Sequence, residues 1–352
     1  MENAKRKTPA ELGYYMPSEW HPHSATWLTW PKDPETWPGR VPQVQEIFLQ
    51  MIAALTPHET VNLLVDDEAT QQDILNRVGF ESDNLQFHKI RTVDSWIRDY
   101  GPNFLIDGKG NLAFNDWRFN AWGDKYEELK KDDGIPQLLG PSLEALWFEP
   151  DIVMEGGSID VNGRGCVLTT EQCLLNNNRN PHLNRNEIEQ YLKDYLGVGK
   201  VLWLGEGIVG DDTDGHIDDV ARFVAPNRIA CAVEEDPADA NYELLQDNLK
   251  RLRSMTDDKG RHFEIIALPM PGAIGGTSTD TRSLDRLPAS YVNFYIANNI
   301  VLAPVFGHTN DTRAVATLQR IFPGRRVVPI NCEPLVWGMG TIHCVSQQQP
   351  AP

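Results

Sequence analysis

Along the chain, short apolar stretches rich in β-branched residues alternate with longer segments whose apolar residues recur at every third or fourth position. The first pattern is typical of buried strands, and the second is typical of helices that bury one face. Three stretches in the C-terminal half share one layout: an apolar strand, a loop rich in Asn or Asp, a helix and a second strand. This layout predicts strand–helix–strand units over residues 166–204, 228–268 and 300–330.

The N-terminal half predicts two more units of this kind. The first combines strand 26–29, helix 44–55 and strand 61–65, and the second combines helix 68–78 with strands 85–90 and 112–115. Because no Pro- or Ser-rich linker and no run of charges separates the halves, we expect a single domain over residues 1–352. The repetition favours a closed pseudo-symmetric α/β assembly. A doubly wound α/β sheet also alternates strands with helices, so the pattern leaves both architectures open.

The charge balance restricts the class of partner. The 50 acidic and 32 basic residues give a formal net charge of −18, which disfavours nucleic acid and anionic membrane surfaces as partners. A small cationic substrate suits this balance, although an acidic surface that aids solubility accounts for it even more readily. The polar start of the chain and the lack of a long apolar run predict a cytoplasmic protein. The sequence is compatible with a homo-oligomer.

Five cysteines, none of them in a C-x-x-C pair, are distributed over the chain. This spacing argues against a zinc site and against a thioredoxin-like redox pair, and the odd number favours free thiols. We expect most of them to be small buried residues whose replacement by Ala affects only stability, and one to be a candidate nucleophile.

Charged or reactive residues lie inside apolar surroundings in four segments. Each segment is next to Gly at a predicted strand edge, where the backbone can turn tightly and approach a ligand. The segments are residues 96–102, 155–160, 214–218 and 338–344. Because buried charges need partners, four such segments predict one shared pocket.

The spacing within these segments predicts which side chains meet. His216 and Asp218 are two residues apart, so on a strand both side chains point to one face, where the carboxylate can keep the imidazole protonated. In an extended chain His343 points away from its neighbour Cys344. We therefore expect Cys344 to act with His216 rather than with His343.

A metal site is a weaker interpretation of the acidic residues at 211–219. A calcium loop with Gly215 at its sixth position needs Asp at position 210 and Glu at position 221, and the chain has Gly210 and Ala221 there. A site for a transition metal stays open but is less favoured. We expect neither a metal nor an organic cofactor.

Seven stretches, found in order over nearly the whole chain, resemble the agmatine deiminase and bacterial-type peptidylarginine deiminase family. They are TWLTWP, WIRDYGP, EGGSID, LTTEQCLLNNNRNPHL, DGHIDD, ASYVNFYIANN and GTIHCVSQQQP. The resemblance implies the pentein fold, an α/β propeller of five pseudo-symmetric ββαβ units. It also implies hydrolysis of a guanidinium group to a ureido group and ammonia through a covalent thiouronium intermediate, without a cofactor.

The resemblance assigns roles to residues that match the family motifs. It implies Cys344 as the nucleophile, His216 as general acid and base, Glu155 as the carboxylate paired with that histidine, Asp99 and Asp218 as the guanidinium-binding carboxylates, and Trp96 as an aromatic residue along the aliphatic part of the substrate.

Three positions depart from the agmatine-specific pattern. Leu12 stands where those members have an Asp that meets the distal amine, Met339 replaces a Gly that borders the pocket, and Asp214 stands where many members have Asn. Agmatine remains the first expected substrate, followed by another guanidine and then by peptidylarginine. Two alternatives stay open: an amidinotransferase, which uses the same chemistry with an amine in place of water, and, from another class, a non-catalytic pentein that serves as a binding or assembly protein.

Overall fold

Five mixed β-sheets and the helices that connect their strands make up the part of the chain that the computed structural model describes, residues 7–275 and 286–352. The strands are β1 (His23–Thr29), β2 (Thr60–Val65), β3 (Leu85–Lys89), β4 (Asn103–Ile106), β5 (Leu112–Asn115), β6 (Leu146–Phe148), β7 (Asp160–Val161), β8 (Cys166–Thr170), β9 (Lys200–Leu204), β10 (Ala221–Ala225), β11 (Arg228–Val233), β12 (Glu264–Pro269), β13 (Tyr295–Ile296), β14 (Ile300–Val305), β15 (Arg326–Asn331) and β16 (Ser346–Pro350). The α-helices are α1 (Val41–Leu55), α2 (Glu68–Val78), α3 (Ile97–Tyr100), α4 (Ala121–Asp124), α5 (Ile135–Leu143), α6 (Glu171–Leu174), α7 (Arg185–Leu196), α8 (Tyr242–Ser254), α9 (Asp311–Ile321) and α10 (Glu333–Val336). Short 3-10 helices cover Ala10–Leu12, Glu127–Gly134, Gly156–Ser158 and Ile217–Asp219.

The sheets repeat one topology. In four of them the middle strand pairs antiparallel with the strand before it and parallel with the strand after it, and a helix connects the two parallel strands. The fifth sheet has the order β16-β1-β2-β3, and the C-terminal strand β16 takes the antiparallel position beside β1. Two distant parts of the chain therefore complete one unit, and the five ββαβ units are those of the pentein fold.

Three predicted units, those over residues 166–204, 228–268 and 300–330, are confirmed almost to the residue, and so is the unit that begins with β1. The helix and the two strands predicted for the next unit are present, but their grouping into one unit is wrong. Strand β3, which follows helix α2, is the outer strand of the first sheet. The second unit consists instead of β4, β5, α5 and β6. The sequence pattern of this unit is weak because β6 has three residues and α5 contains Gly140 and Pro141. The ring of Trp147 packs against Gly140 and would have to move if this residue had a Cβ.

Helix α7 begins and ends where local chemistry predicts. In α7, Asn184 and Glu187 form a capping box at the first turn, and Gly197 ends the helix in a left-handed conformation. Its buried face consists of Ile188, Leu192 and Leu196, spaced at four residues. The helix is therefore held by its caps and by one apolar stripe against the sheet.

Burial differs between the first and the last strand of each unit. The first strands, β4, β7, β10, β13 and β16, are almost wholly buried. Of the last strands of the sheets, β3, β6, β12 and β15 have exposed positions and β9 has half-buried ones. The first strands therefore lie inside the molecule, and the segments that lead into them are in a position to share one site. In the described parts of the chain, no helix combines the length and the apolar character needed to cross a bilayer.

Candidate active site

A cleft of about 390 Å³ opens above the thiol of Cys344. Its deep part is lined by Trp96, Asp99 and Trp122, which are all buried. Asp33 and Glu35, which are less buried, line it closer to solvent. The cleft thus connects a reactive side chain to solvent along an aromatic and acidic wall.

Each of the five units contributes a side chain to this site from the segment immediately before its first strand. The set is Asp99 before β4, Glu155 before β7, His216 and Asp218 before β10, Asn293 before β13, and Cys344 before β16. The sequence-predicted residues therefore do come together. The fifth unit's residue, Asn293, was not predicted because its segment has neither a charge nor a Gly, although the motif ASYVNFYIANN and its equivalent place in the repeat both point to it.

Cys344 lies in a turn and is 7% exposed. Its Sγ is 3.2 Å from Nδ2 of Asn293 and 3.7 Å from Oδ2 of Asp218. Burial raises the pKa of the thiol well above its ordinary value, and Asp218, Asp219 and Asp99 raise it further. Carboxylates act on the thiol in the expected direction, but burial is the larger cause.

His216 lies between two carboxylates. Its Nδ1 is 3.8 Å from Oδ1 of Asp99, and its Nε2 is 4.0 Å from Oε2 of Glu155. Burial alone would lower the pKa of His216, but Asp99, the Cys173 thiol and Glu155 outweigh burial and raise the pKa well above its ordinary value. The imidazole is therefore held as a proton donor at neutral pH.

The local structure around His216 differs from the strand that the spacing suggested. Residues Ile217–Asp219 form a 3-10 helix, so His216 and Asp218 reach the site from a tight turn. Gly157 shows how closely the side chains approach. A Cβ on this residue would lie 2.6 Å from Nδ1 of His216, 2.8 Å from Oδ1 of Asp99 and 3.1 Å from Oδ2 of Asp218. Only Gly fits at this point.

Asp99 is held by two donors. Its Oδ2 accepts a hydrogen bond from Nε1 of Trp122 at 2.9 Å, and its Oδ1 accepts one from the backbone N–H of Gly157 at 2.9 Å. Burial nevertheless raises the pKa of Asp99 to about 6, with His216 opposing this rise and Asp218 and Glu155 adding to it. Trp122 was not predicted, and no motif of the sequence indicated it.

Asp218 has one oxygen bound and one free. Its Oδ2 accepts a hydrogen bond from Nδ1 of His343 at 2.7 Å, while Oδ1 is buried without a partner among the described residues. Nε2 of His343 is 2.8 Å from Oε2 of Glu19, which also binds Arg222. Although burial opposes it, the hydrogen bond with His343 and the nearby His216 and Arg222 lower the pKa of Asp218. His343 therefore supports Asp218, and the extended chain assumed for residues 343–344 is wrong.

Glu155 is held from outside the cleft. Its Oε1 accepts a hydrogen bond from Nε of Arg179 at 2.6 Å, and both side chains are fully buried. Arg179 also donates to Asp214 at 2.7 Å, so Asp214 anchors this arginine. The Cys173 thiol lies near the other end of the same carboxylate and near His216. Arg179 and Cys173 both belong to LTTEQCLLNNNRNPHL, so the motif contained a signal for them.

Met339 and Leu12, two of the positions that depart from the agmatine-specific pattern, lie in different parts of the structure. Met339 lines the cleft in a left-handed conformation, with φ of 74°. Leu12, in contrast, is 40% exposed on a 3-10 helix and is absent from the cleft lining. Within one chain, the expectation that residue 12 meets the far end of the substrate is therefore wrong.

Two groups of side chains in the described parts of the chain bring ligand atoms within 4.8 Å of one another: Glu155 with Cys173 and His216, and Asp218 with Asp219 and Cys344. In the first group Glu155 is already paired with the cation of Arg179, and in the second Asp218 is bound to His343. Each group thus contains one carboxylate that is already bonded within the protein.

Known proteins match this chain over nearly its whole length. A family model for Porphyromonas-type peptidyl-arginine deiminase matches residues 15–350. The agmatine deiminase of Ectopseudomonas mendocina is 39% identical over 362 residues, which cover 98% of each protein. The solved agmatine deiminase of Enterococcus faecalis has a TM-score of 0.91 at 37% identity, covering 99% of this chain and 98% of that one. A cysteine-to-serine variant of the C. jejuni agmatine deiminase, solved with substrate bound, has a TM-score of 0.85 at 29% identity and covers 96% of each chain. The chain belongs to the Porphyromonas-type peptidyl-arginine deiminase family.

Proposed function

We propose that this protein is an agmatine deiminase, which hydrolyses agmatine to N-carbamoylputrescine and ammonia. One observation carries the proposal: a buried thiol, Cys344, faces two carboxylates, Asp99 and Asp218, with His216 beside them. The proposal takes further support from agmatine deiminases that match the chain along its full length.

The two carboxylates suit a guanidinium ion. A guanidinium is planar and stays charged at neutral pH, so carboxylates on its N–H edges bind it through paired hydrogen bonds. Oδ1 of Asp218 is buried and has no partner in the part of the chain that the structure describes, which makes it a ready acceptor. When the guanidinium is bound between Asp99 and Asp218, its central carbon faces Sγ of Cys344. Binding thereby converts a bimolecular reaction into one within the complex.

The reaction begins when the Cys344 thiolate attacks the guanidinium carbon and forms an S–C bond. The adduct is tetrahedral and neutral at carbon and carries no oxyanion, so stabilisation comes from the carboxylates. His216 gives its proton to one amino group, and the C–N bond breaks to release ammonia and leave an S-alkylthiouronium cation. The positive charge of that intermediate remains beside Asp99 and Asp218.

The second half returns the enzyme to its starting state. Neutral His216 takes a proton from water as the water attacks the thiouronium carbon, and the S–C bond then breaks to release the Cys344 thiolate and the protonated urea, which loses its proton. Each turnover consumes one water and produces one ureido product and one ammonium ion. Glu155, whose Oε2 is 4.0 Å from Nε2 of His216, stabilises the protonated imidazole before the first step and again after the second.

The walls of the cleft favour agmatine among guanidines. Agmatine carries a second cation, and the acidic side chains of Asp33, Glu35 and Asp212 line the cleft. Free arginine would bring a carboxylate, yet no described residue lining the cleft is Lys or Arg. Arg98 and Arg222 are both buried in bonds to other residues, Arg98 to Gln348 and Arg222 to Asp160. An unpaired carboxylate next to these acids would cost about 1–3 kcal/mol or more.

Ammonia release from agmatine, free arginine, peptide-embedded arginine and butylguanidine tests the proposal, with Cys344→Ser as the blank. We expect agmatine to have the highest kcat/KM and mass spectrometry to identify N-carbamoylputrescine. Faster release from arginine or from an arginine peptide would overturn the substrate assignment, and amidine transfer to an amine without ammonia would indicate an amidinotransferase. We also place the reaction in the cytoplasm, which the five free cysteines support.

A further inference from the structure

A buried carboxylate that the proposed reaction does not use lies behind the site. Glu19 precedes β1 and is 5% exposed. Its Oε2 is 2.7 Å from Nη2 of Arg222, 2.8 Å from Nε2 of His343 and 3.7 Å from Nη2 of Arg98. Its Oε1 accepts a hydrogen bond from the backbone N–H of Ile296 at 2.7 Å. One carboxylate in the interior thus faces two guanidinium groups and an imidazole.

The contacts of His343 define its protonation state. Its Nδ1 is 2.7 Å from Oδ2 of Asp218, and its Nε2 is 2.8 Å from Oε2 of Glu19. A neutral imidazole has a single N–H, so one of these contacts would join a bare ring nitrogen to a carboxylate oxygen, and neither atom could donate. The imidazolium ion donates from both nitrogens. With both carboxylates ionised, the geometry therefore requires a doubly protonated His343.

Both carboxylates are held in their ionised forms. Burial alone would raise the pKa of Glu19, but Arg222, His343 and Arg98 lower it well below its ordinary value. The pKa of Asp218 is also lowered, although burial opposes this. The proton shared along this line of contacts therefore belongs to the imidazole and not to a carboxyl group.

The positive charge of His343 depends on Glu19. If the carboxylate were absent, the imidazolium would lie beside the guanidinium groups of Arg98 and Arg222 without the negative charge that separates them. Nε of Arg98 also donates to the backbone carbonyl of His343 at 3.2 Å, which keeps this arginine in place. Arginine does not lose its proton in a protein, whereas an imidazole does so near neutral pH. Of these three groups, His343 is therefore the one that becomes neutral when Glu19 loses its charge.

The charge of His343 in turn affects the carboxylate that faces the substrate. The ionisable groups around Asp218 come from several elements of the fold: His343, His216, Arg222, Asp99, Asp219 and Cys344. Among the groups that lower the pKa of Asp218, His343 has the largest effect. Its hydrogen bond also occupies Oδ2 and leaves Oδ1 buried without a partner among the described residues. A neutral His343 would make Asp218 harder to ionise.

We propose that Glu19 is a positioning residue of the deiminase site, which holds His343 as an imidazolium so that Asp218 stays ionised with Oδ1 free for the guanidinium of the substrate. Glu19 does not line the cleft, and it acts through His343. The inference rests on the deiminase proposed above and identifies what keeps one of its two guanidinium-binding carboxylates charged.

The protonation of His343 can be observed directly. A neutron crystal structure of the perdeuterated wild-type protein at pH 8 should show deuterium on both ring nitrogens of His343. Deuterium on one nitrogen alone would overturn the inference. This measurement needs neither a substrate nor a variant, so its result does not depend on the proposed function.

Glu19→Gln removes the charge and keeps the size of the side chain. Because an opposite charge at this distance lowers the pKa of a carboxyl group by about 1–3 units, its loss should raise the pKa of Asp218, and the ionised form is then lost earlier as the pH falls. We expect the ratio of variant to wild-type kcat/KM for agmatine to fall about tenfold between pH 8 and pH 5. Glu19→Asp keeps the charge and should restore most of the wild-type profile.

Glu59→Gln is the matched control. Glu59 is also 5% exposed and contacts a histidine and a backbone N–H, with Oε1 3.2 Å from Nδ1 of His23 and Oε2 2.6 Å from the N–H of Asn298. This variant should have a lower melting temperature, but the ratio of its kcat/KM to that of wild type should not change with pH.

A folded Glu19→Gln protein whose kcat/KM ratio is the same at every pH would show a purely structural role and would overturn the inference. If this variant does not fold, the neutron structure of the wild type decides. Failure of the proposed function has a different signature, since wild type would then release no ammonia from any guanidine, while deuterium on both nitrogens would still support the pairing of Glu19 with His343.

Discussion

The pH dependence of kcat/KM can be linked to one carboxylate. Asp99 has a pKa of about 6 in the free protein, and Trp122 donates a hydrogen bond to its charged form at 2.9 Å. The carboxylate binds guanidinium only when it is ionised, so kcat/KM should fall as the pH falls through about 6. Trp122→Phe removes the donor and retains most of the ring, and the falling limb should therefore move to higher pH.

The size of the effect follows from the hydrogen bond. A bond to a charged group contributes about 1.5–3 kcal/mol, of which water can replace part, and each pKa unit corresponds to about 1.4 kcal/mol. We expect the limb to move up by about one unit. The ionised fraction of Asp99 at pH 6 then falls from about one half to about one tenth, so that kcat/KM decreases about fivefold, while at pH 8 it changes by only about 10%.

Initial rates of ammonia release at agmatine concentrations well below KM, measured from pH 5 to 9, give kcat/KM directly. Trp337→Phe is the matched control, because Trp337 also lines the cleft but its Nε1 donates to Glu333 at 3.0 Å. Asp94 is the alternative to Asp99 as the group that causes the falling limb, because it also lines the cleft and has a pKa of about 6. If the limb stayed in place in Trp122→Phe, or moved equally in Trp337→Phe, its assignment to Asp99 would be refuted.

Three further changes test the site. Cys344→Ser should abolish turnover and leave agmatine binding, measured by calorimetry, within about threefold of wild type; residual turnover above a few per cent would contradict the nucleophile assignment. Asp33→Asn should raise KM for agmatine about two- to tenfold through loss of a carboxylate near the second cation of the substrate, and should hardly change KM for butylguanidine. Leu12→Asp should leave KM for both substrates unchanged. If Asp33→Asn changed KM equally for both substrates, the distal amine of agmatine would bind elsewhere. Cys173→Ala, which removes a thiol beside His216, should lower kcat and shift the pH profile of kcat. Cys231→Ala should lower only the melting temperature. Identical kinetics for these two variants would show that Cys173 has a purely structural role.

The sequence by itself determined the parts that depend on neighbouring residues. The strands and helices of the C-terminal units follow from local periodicity, since burial of one face or both faces fixes the spacing of apolar residues. The same holds for the reactive segments around Asp99, Glu155, His216 and Cys344, because a charge inside an apolar run requires a partner. Their convergence was expected from the number of such segments. In the structure Asp99 and Cys344 line the cleft, and His216 lies between Asp99 and Glu155.

The tertiary structure alone decided what depends on residues far apart in the chain. Strand β16 pairs with β1, with Leu28 opposite Ser346, and this closure delivers Cys344 to the site. The same closure leaves Leu12 outside the cleft and sets the orientation of Asn293 through the backbone of His343. No local pattern encodes these contacts, because a hydrogen bond between residues 50 or more positions apart exists only once the five units have packed together.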